Sequence, residues 1–348
     1  MAPCHKVTRP GSCVKAPWLL PGKANNTIPN YTKLDILLNL LDIPTLSVTL
    51  VVCSKKSLEQ EFSLTMKKGS TVCGAMDDLY KSIFSRNIGF FTESEQEKLR
   101  RSTIGIAGMG GVGGLLVERL TRLGIGQLKI LDPETFERSN LNRQFGSSML
   151  NLGQNKAEAV FKQTKDINPQ ALIRYSKAGI KTEEEAEFFV TGCDLVIDEM
   201  DFGLFKESIL LQRAARRRGI YYMFAVDIGF GALVVIFDPN GLTLEEYDKL
   251  PSDLDLEDAQ ELVVPLERIC PVMPSYASPA SDEADRIMCE VLAGDRPAPT
   301  NSIGVGLASI MASAEAINIV LRKRAVPSAP QYTYIDLLDR KFLVQPIS

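Results

Sequence analysis

Histidine is almost absent from this chain, which has 348 residues and a single histidine, His5. This lack excludes a Ser-His-Asp triad, a histidine general base in the core and a histidine-rich metal cage. Cysteine occurs seven times but never as a C-x-x-C pair, which suits a reducing compartment rather than a disulfide framework. A catalytic site must therefore be built from carboxylates, lysine, arginine, cysteine, backbone N–H groups and a divalent cation such as Mg²⁺.

Long apolar runs and a strong net charge are also missing. No apolar run approaches ~18 residues, so the sequence predicts no membrane-spanning segment. The N-terminal residues lack the apolar core of a secretion signal, so we expect a cytoplasmic protein. The formal net charge of −4 argues against a nucleic-acid partner. The basic clusters at residues 216–218 and 322–324 are expected to lie at helix C-termini, where cations complement the dipole.

The order of the predicted elements is typical of an α/β protein. Residues 1–31 carry Pro, Gly and basic residues without periodicity and predict a flexible tail. Residues 32–84 contain strand-like segments and a closing helix, which predict a small N-terminal α+β extension. From residue 85 to residue 348 strands and helices alternate, apart from a loop-rich crossover at residues 241–300. This alternation predicts a doubly wound, mostly parallel, Rossmann-like sheet that binds ligands at the carboxyl ends of its strands.

A glycine-rich turn between a strand and a helix is the most informative motif. It reads GMGGVGG at residues 108–114. The glycines that satisfy the G-x-G-x-x-G dinucleotide pattern are Gly108, Gly110 and Gly113. Glycine lets the backbone turn sharply and approach a phosphate, while the helix N-terminus attracts the anion. Asp132 ends the next apolar run, where it can accept hydrogen bonds from ribose hydroxyls. The extra Gly111 departs from the usual nicotinamide version.

Further motifs flank this turn in a fixed order. They are FSRN at residues 84–87, SNLNRQ at 139–144, GQNK at 153–156 and DEMDF at 198–202. Together with the glycine-rich turn and Asp132, these segments resemble the ThiF/MoeB/HesA adenylyltransferases, the bacterial relatives of ubiquitin-activating enzymes. The resemblance covers residues 85–235 well and residues 301–324 more loosely.

The resemblance implies an enzyme that uses ATP to activate a carboxylate as an acyl-adenylate, releasing pyrophosphate. This chemistry needs positioning and charge neutralisation more than covalent work by the protein. By resemblance, Asp132 holds the ribose, while Arg143 and Lys156 clamp the phosphates. Asn140 and Gln144 either add polar contacts or cap the helix that they open. The glycines expected to contact the nucleotide are Gly108, Gly110, Gly111 and Gly113.

The resemblance also implies a metal ligand and an arginine supplied by a second subunit. Asp201 aligns with the Mg²⁺-binding aspartate of the family, with Asp198 as the competing carboxylate. Arg86 resembles the arginine that family dimers insert into the partner's site, with Arg100, Arg101 and Arg119 as alternatives for this role. The alternative for these charged residues is an ordinary place at a strand end or on a solvated helix face.

The chain departs from the family pattern in its cysteines. Relatives carry two C-x-x-C pairs that bind structural zinc, whereas residues 242–245 read LTLE and residues 342–345 read FLVQ. Structural zinc is therefore not expected. Thioester-forming relatives need a cysteine in the crossover, where Cys270 and Cys289 lie, but such a thiol is more often packed than nucleophilic. The sequence leaves open whether either forms a thioester.

The implied substrate is the carboxylate of a peptide or of a small ubiquitin-like or sulfur-carrier protein. Family members that modify ribosomally made peptides add an N-terminal recognition segment, a role open to residues 32–84. The small-residue helix at residues 303–321 and the family resemblance imply a homodimer, with a heterodimer left open. Two alternatives are a non-catalytic nucleotide-binding partner subunit and an NAD- or FAD-dependent oxidoreductase. In an oxidoreductase the SNLNRQ and GQNK segments would have no function.

Overall fold

The computed structural model describes most of residues 70–347. The residues outside the description are 1–69, 202, 252–253, 257–261, 263, 277–285, 287–289, 292–295 and 348. The predicted tail and the predicted strands of the N-terminal extension lie outside the described residues, as does Cys289.

A single eight-stranded sheet forms the centre of the described part. Its strands are β1 (Thr103–Ala107), β2 (Gln127–Leu131), β3 (Leu172–Ser176), β4 (Leu195–Asp198), β5 (Tyr221–Ile228), β6 (Gly231–Phe237), β7 (Gln331–Asp336) and β8 (Lys341–Pro346). They lie in the order β3-β2-β1-β4-β5-β6-β7-β8. Strands β1 to β5 pair in parallel, and β6 to β8 are added antiparallel to their neighbours. The chain winds outward in both directions from β1, which confirms the predicted doubly wound sheet.

Helices cover both faces of this sheet. Their bounds are α1 (Ser70–Phe84), α2 (Glu93–Arg101), α3 (Gly111–Leu123), α4 (Lys156–Ile167), α5 (Glu183–Val190), α6 (Phe205–Arg217), α7 (Leu244–Tyr247), α8 (Leu266–Ile269) and α9 (Ser302–Leu321). One apolar cluster joins α3, α4 and α9 to the sheet. A second cluster joins α5 and α6 to it. The fully buried strand β1 lies between these two layers, as expected of a central parallel strand.

Local sequence determines where the helices begin and end. The Thr92 hydroxyl accepts a hydrogen bond from the Glu95 amide at 3.2 Å, and the Glu95 carboxylate accepts one from the Thr92 amide at 2.9 Å. This capping box starts α2, and Thr182 with Glu185 forms the same motif at α5. Helix α3 ends at Gly124, whose φ of +94° suits glycine. These start and stop signals are local, because each involves only residues within one helical turn of the helix end.

Helix α1 packs against α2 and against the end of α3. The Tyr80 hydroxyl donates a hydrogen bond to the Gly124 carbonyl oxygen at 2.6 Å and accepts one from the Gln96 amide group at 3.0 Å. Tyr80 and Phe84 are both buried. The helix predicted to close residues 32–84 is therefore attached to the sheet domain through its buried tyrosine.

Helix α9 is more apolar than the sequence analysis led us to expect of any segment in the chain. By length and composition alone it could cross a membrane, although its sequence predicted no membrane-spanning segment. In the fold, 56% of its most apolar 18-residue stretch is buried, and its neighbours are α3, β5 and β6. A Cβ atom at Gly304 would lie 2.5 Å from the Gly229 carbonyl oxygen. Such close packing is what a core helix of a folded domain requires.

Candidate active site

A cleft opens where β1, β2 and β4 end, at the place where the strand order reverses. It has two connected parts that share Pro133, Glu134 and Lys156. The part beside the glycine-rich turn encloses about 650 Å³ of space, some of it open to solvent. Ligands of open α/β sheets bind at such a reversal. The cleft is therefore the place to which the fold assigns a ligand.

The glycine-rich turn leaves no room for side chains at its tightest points. Gly108 has a φ of +92°, and a Cβ atom there would lie 2.0 Å from the Glu199 carbonyl oxygen. A Cβ atom at Gly113 would lie 1.9 Å from the carbonyl oxygen of Gly108. At Gly111 it would lie 3.0 Å from Val305 of α9. The turn thus lets the start of α3, whose first-turn amides lack intrahelical partners, border the cleft directly.

Asp132 joins the end of β2 to this turn. Its carboxylate accepts hydrogen bonds from the Met109 amide at 2.7 Å and from the Glu134 amide at 2.8 Å. Burial raises the pKa of the Asp132 carboxyl, while these two amides and the Lys156 charge act in the opposite direction. A carboxylate accepts about four hydrogen bonds. Asp132 therefore keeps capacity for the hydroxyls of a ribose.

Lys156 is 4% exposed, and its ammonium faces the cleft. Its Nζ atom lies 2.5 Å from the Glu134 carboxylate, and its backbone amide donates to the Glu134 carbonyl oxygen at 2.9 Å. The Asn155 side chain caps α4 and also donates to the Asp132 carbonyl oxygen at 2.8 Å. These bonds attach the start of α4 to the segment after β2, which aims the buried cation into the cleft.

Glu134 and Asp201 place two carboxylates beside Lys156. The pKa of the Asp201 carboxyl is raised, first by partial desolvation and then by the neighbouring Glu134, while Lys156 and Arg143 act to lower it. Within the described residues, no cluster of three or more protein ligands for a metal is present. Magnesium nevertheless needs only one or two carboxylates when phosphate oxygens and water complete its shell. Glu134 and Asp201 fit such an ion. Sequence reasoning missed Glu134, although it follows Asp132 by two residues.

Asp198, the competing carboxylate, is occupied within the fold. Its side chain is buried and accepts hydrogen bonds from the Tyr222 hydroxyl at 2.6 Å and from the Met200 amide at 3.0 Å. Burial raises the pKa of the Asp198 carboxyl. Only Asp201 of these two aspartates lines the cleft, which favours it as the predicted metal ligand.

Arg143 lies beside the cleft rather than in its lining. Its Nη1 atom donates to the Ser139 carbonyl oxygen at 3.1 Å and to the Asn142 side-chain oxygen at 2.9 Å. The guanidinium is close enough to two carboxylates, Asp201 and Asp227, for its charge to oppose the rise in pKa that burial causes in each. A cation held in this way is available to a phosphate in the cleft.

Asn140 and Gln144 have different surroundings. The Asn140 side-chain oxygen accepts from the Glu137 amide at 2.9 Å and caps the 3-10 turn Arg138–Asn140. Asn140 also lines the cleft, so it caps the turn, while its contact with a nucleotide stays a prediction. Gln144 is buried next to Gly110, and its Oε1 atom has no hydrogen-bond partner in the described part of the chain. An unsatisfied buried oxygen beside the turn is suited to a ligand donor.

Arg86 and Cys270 do not line the cleft of their own chain. Arg86 is exposed in the 3-10 turn Ser85–Asn87. The Cys270 thiol is largely surrounded by protein, and burial raises its pKa to about 11. A thiol that stays protonated at neutral pH is a poor nucleophile, so the structure gives Cys270 no support as a thioester site.

Two further carboxylates at strand ends were missed by sequence reasoning. Glu199 lines the cleft, and its buried Oε1 atom has no partner among the described residues. Burial raises the pKa of the Glu199 carboxyl well above its ordinary value. Asp227 of β5 accepts a hydrogen bond from the Thr300 hydroxyl at 2.7 Å. The available signal was the place of each residue after an apolar run.

The sheet order, the glycine-rich turn and the charged cleft together define a Rossmann-like α/β protein with a candidate ligand site at the strand reversal. The sequence model of the ThiF family matches residues 84–347. The chain therefore belongs to the ThiF family, whose members are ATP-using adenylating enzymes.

Two curated relatives illustrate the range of the family. A tRNA threonylcarbamoyladenosine dehydratase of Haemophilus influenzae is 32% identical over 142 residues, which cover 41% of this chain and 54% of that protein. A ubiquitin-like modifier-activating enzyme 5 of Rattus norvegicus is 37% identical over 97 residues, covering 28% of this chain and 24% of that protein. The chain spans about half the length of the dehydratases it matches, and less of the modifier-activating enzyme.

Solved structures with the same fold include MccB and PaaA. MccB of E. coli, bound to MccA, superposes with a TM-score of 0.56 at 19% identity and covers 79% of this chain and 74% of that one. PaaA superposes with a TM-score of 0.53 at 15% identity and covers 83% of this chain and 77% of that one. At these identities the likeness concerns the fold alone.

Proposed function

We propose that the protein is an ATP- and Mg²⁺-dependent adenylyltransferase that activates a carboxylate as an acyl-adenylate. The observation that carries this proposal is the cleft where the glycine-rich turn meets Asp132, Lys156 and the Glu134–Asp201 pair. It combines a backbone cradle, a buried cation and two carboxylates within reach of one ligand. A nucleoside triphosphate with its divalent cation matches that combination of groups.

Each group has a role in this reaction. Asp132 would hold the ribose, and the apolar lining residues Leu131, Ile180 and Leu204 would contact the base. Lys156 and Arg143 would neutralise the phosphates, and the carboxylates of Glu134 and Asp201 would hold Mg²⁺. The ion would supply charge neutralisation for the departing pyrophosphate.

The reaction forms one bond and breaks one bond at the α-phosphorus of ATP. An oxygen of the substrate carboxylate attacks this phosphorus, and the bond to the pyrophosphate oxygen breaks. The chain's own contribution is to align the phosphates and to stabilise the charge that develops during transfer. Lys156 is suited to this task because its burial excludes water from the ammonium.

We infer that the activated carboxylate belongs to a peptide or to a small ubiquitin-like or sulfur-carrier protein. The basic cluster at residues 216–218, which a nucleic acid could contact, is engaged within the fold. Arg217 and Arg218 pair with Glu187 at 2.6 and 2.9 Å, and Arg216 donates to the Gly241 carbonyl oxygen at 2.7 Å. A homodimer with Arg86 reaching into the partner's site completes the proposal. The cytoplasmic location and the recognition role of residues 32–84 stay predictions.

The test is substrate-dependent exchange of labelled pyrophosphate into ATP, with peptides, carrier proteins and modified tRNA offered as substrates. We expect exchange with a peptide or carrier protein and its loss in the Arg143→Ala, Lys156→Ala and Asp201→Ala variants. Lys162→Ala is the matched control, because Lys162 is exposed on the same helix and pairs with Glu158.

Other outcomes of this experiment are equally informative. Absence of both exchange and ATP binding would refute the proposal. Tight ATP binding without exchange for any carboxylate would instead indicate the non-catalytic partner subunit. A retained flavin or nicotinamide coenzyme would revive the oxidoreductase alternative, and exchange driven by tRNA would correct the substrate class.

A further inference from the structure

A chain of hydrogen bonds joins strand β5 to the guanidinium of Arg143. The Thr300 hydroxyl donates to the Asp227 carboxylate at 2.7 Å. The Thr300 carbonyl oxygen accepts from the Asn142 side chain at 3.1 Å. The Asn142 side-chain oxygen then accepts from Arg143 Nη1 at 2.9 Å. We call Asp227, Thr300 and Asn142 the bracket.

Thr300, the central residue of the bracket, is held in place by the hydrogen bonds of the next residue, Asn301. The Asn301 side chain donates to the Gly229 carbonyl oxygen at 2.6 Å. Its side-chain oxygen accepts from the Ile303 and Gly304 amides at 2.9 and 3.1 Å, which caps α9. Residue 300, the last of the crossover, is thus held between the β5–β6 turn and a buried helix, so it gives Asn142 a fixed acceptor.

The bracket also lies in the electric field of Arg143. Burial raises the pKa of the Asp227 carboxyl, whereas the Thr300 hydrogen bond and the Arg143 charge act to lower it. Arg143 acts on Asp201 in the cleft in the same way. The Arg143 guanidinium therefore lies near two carboxylates, Asp227 of the bracket and Asp201 of the cleft.

We propose that Asp227, Thr300 and Asn142 are positioning residues that hold Arg143 in place for the triphosphate. This inference rests on the proposed function, because it takes Arg143 as a phosphate ligand. A long side chain that is already held loses less freedom when its ligand binds, so the bracket strengthens phosphate binding. The end of the crossover then contributes to ATP affinity although it does not line the cleft.

The test compares ATP with adenosine, which lacks phosphates, by calorimetry on the full chain. Thr300→Val removes the hydroxyl at nearly constant shape, and Thr300→Ser keeps it as the matched control. Loss of one hydrogen bond predicts an ATP Kd raised about fivefold in the valine variant. The adenosine Kd should stay at its wild-type value in both variants, and the ATP Kd should stay there in the serine variant.

Asn142→Ala is the second variant, because Asn142 is exposed and its truncation leaves no cavity. It should raise the ATP Kd and leave the adenosine Kd unchanged. In an Arg143→Ala background, Thr300→Val should weaken ATP binding no further, because the bracket acts through Arg143.

An equal loss of adenosine affinity, or a full further loss in the Arg143→Ala background, would overturn the bracket in favour of a general structural role. An effect of Arg143→Ala without any effect of Thr300→Val or Asn142→Ala would overturn the bracket alone. If Arg143→Ala leaves ATP affinity unchanged, the phosphate role of Arg143 and the bracket both fail.

Discussion

Replacement of Gly113 by alanine tests the geometry of the glycine-rich turn directly. The added Cβ atom would lie 1.9 Å from the Gly108 carbonyl oxygen and 3.2 Å from the Glu199 Cβ atom. The first of these contacts is with backbone, so rotation of a side chain cannot relieve it. The next residue, Gly114, is the matched control because its nearest contact would be an ordinary 3.5 Å from the Met109 carbonyl oxygen.

The two substitutions share one energetic benefit and differ in one cost. Alanine is favoured over glycine inside a helix by about 1 kcal/mol at both positions. Overpacking at Gly113 has to displace backbone by more than an ångström, which costs about 3 kcal/mol or more. We therefore expect Gly113→Ala to lower the free energy of unfolding by about 2 kcal/mol or more, and Gly114→Ala to leave it unchanged or higher.

Urea unfolding and ATP titration together provide the assay. Gly113→Ala should lower the urea concentration at the midpoint of unfolding. It should also cause a large loss of ATP affinity, because the start of α3 can no longer pack against the Gly108 carbonyl group. Gly114→Ala should match the wild-type protein in both measurements. Equal midpoints and equal ATP affinities for the two variants would refute the view that a backbone contact at Gly113 shapes the nucleotide site.

Three further predictions concern the second subunit, the cysteine and a buried carboxyl. Mixing inactive Arg86→Ala and Arg143→Ala proteins should restore about a quarter of wild-type exchange if Arg86 acts across a dimer, whereas no restoration would contradict a shared site. With a labelled carboxylate substrate and ATP the protein should form no thiol-labile adduct, and an adduct that forms in the wild-type protein and is lost in Cys270→Ser would reinstate the thiol as a nucleophile. Burial raises the pKa of Asp248 to about 7, aided by Glu245 and opposed by Arg268. As the pH rises, the Asp248 carboxyl ionises near pH 4 in the unfolded chain but only near pH 7 in the folded protein. The free energy of unfolding should therefore fall between about pH 4 and about pH 7, by up to about 4 kcal/mol. Asp248→Asn should flatten that slope in urea unfolding, and an unchanged slope would assign the dependence to another group.

Several observed elements of the fold follow from signals that are local in the sequence. The alternation of strands and helices, the G-x-G-x-x-G turn and the capping residues Thr92 and Thr182 each depend on a few neighbouring residues. Hydrophobic period and backbone sterics act over that same short range. The helices and the parallel strands were therefore predictable, and so was the strand-end position of Asp132.

The sequence by itself determined the doubly wound half of the sheet and the residues that approach its reversal. Only the tertiary structure decided that Asp198 is bonded inside the fold, that Glu134 pairs with Lys156, and that α9 is a core helix. It also decided how Asn142, a hydrogen-bond partner of Arg143, is held, because Asn142 bonds to Thr300, which lies 158 residues further along the chain. Contacts across such a separation exist only once the sheet is assembled, since no periodicity within a short segment encodes them.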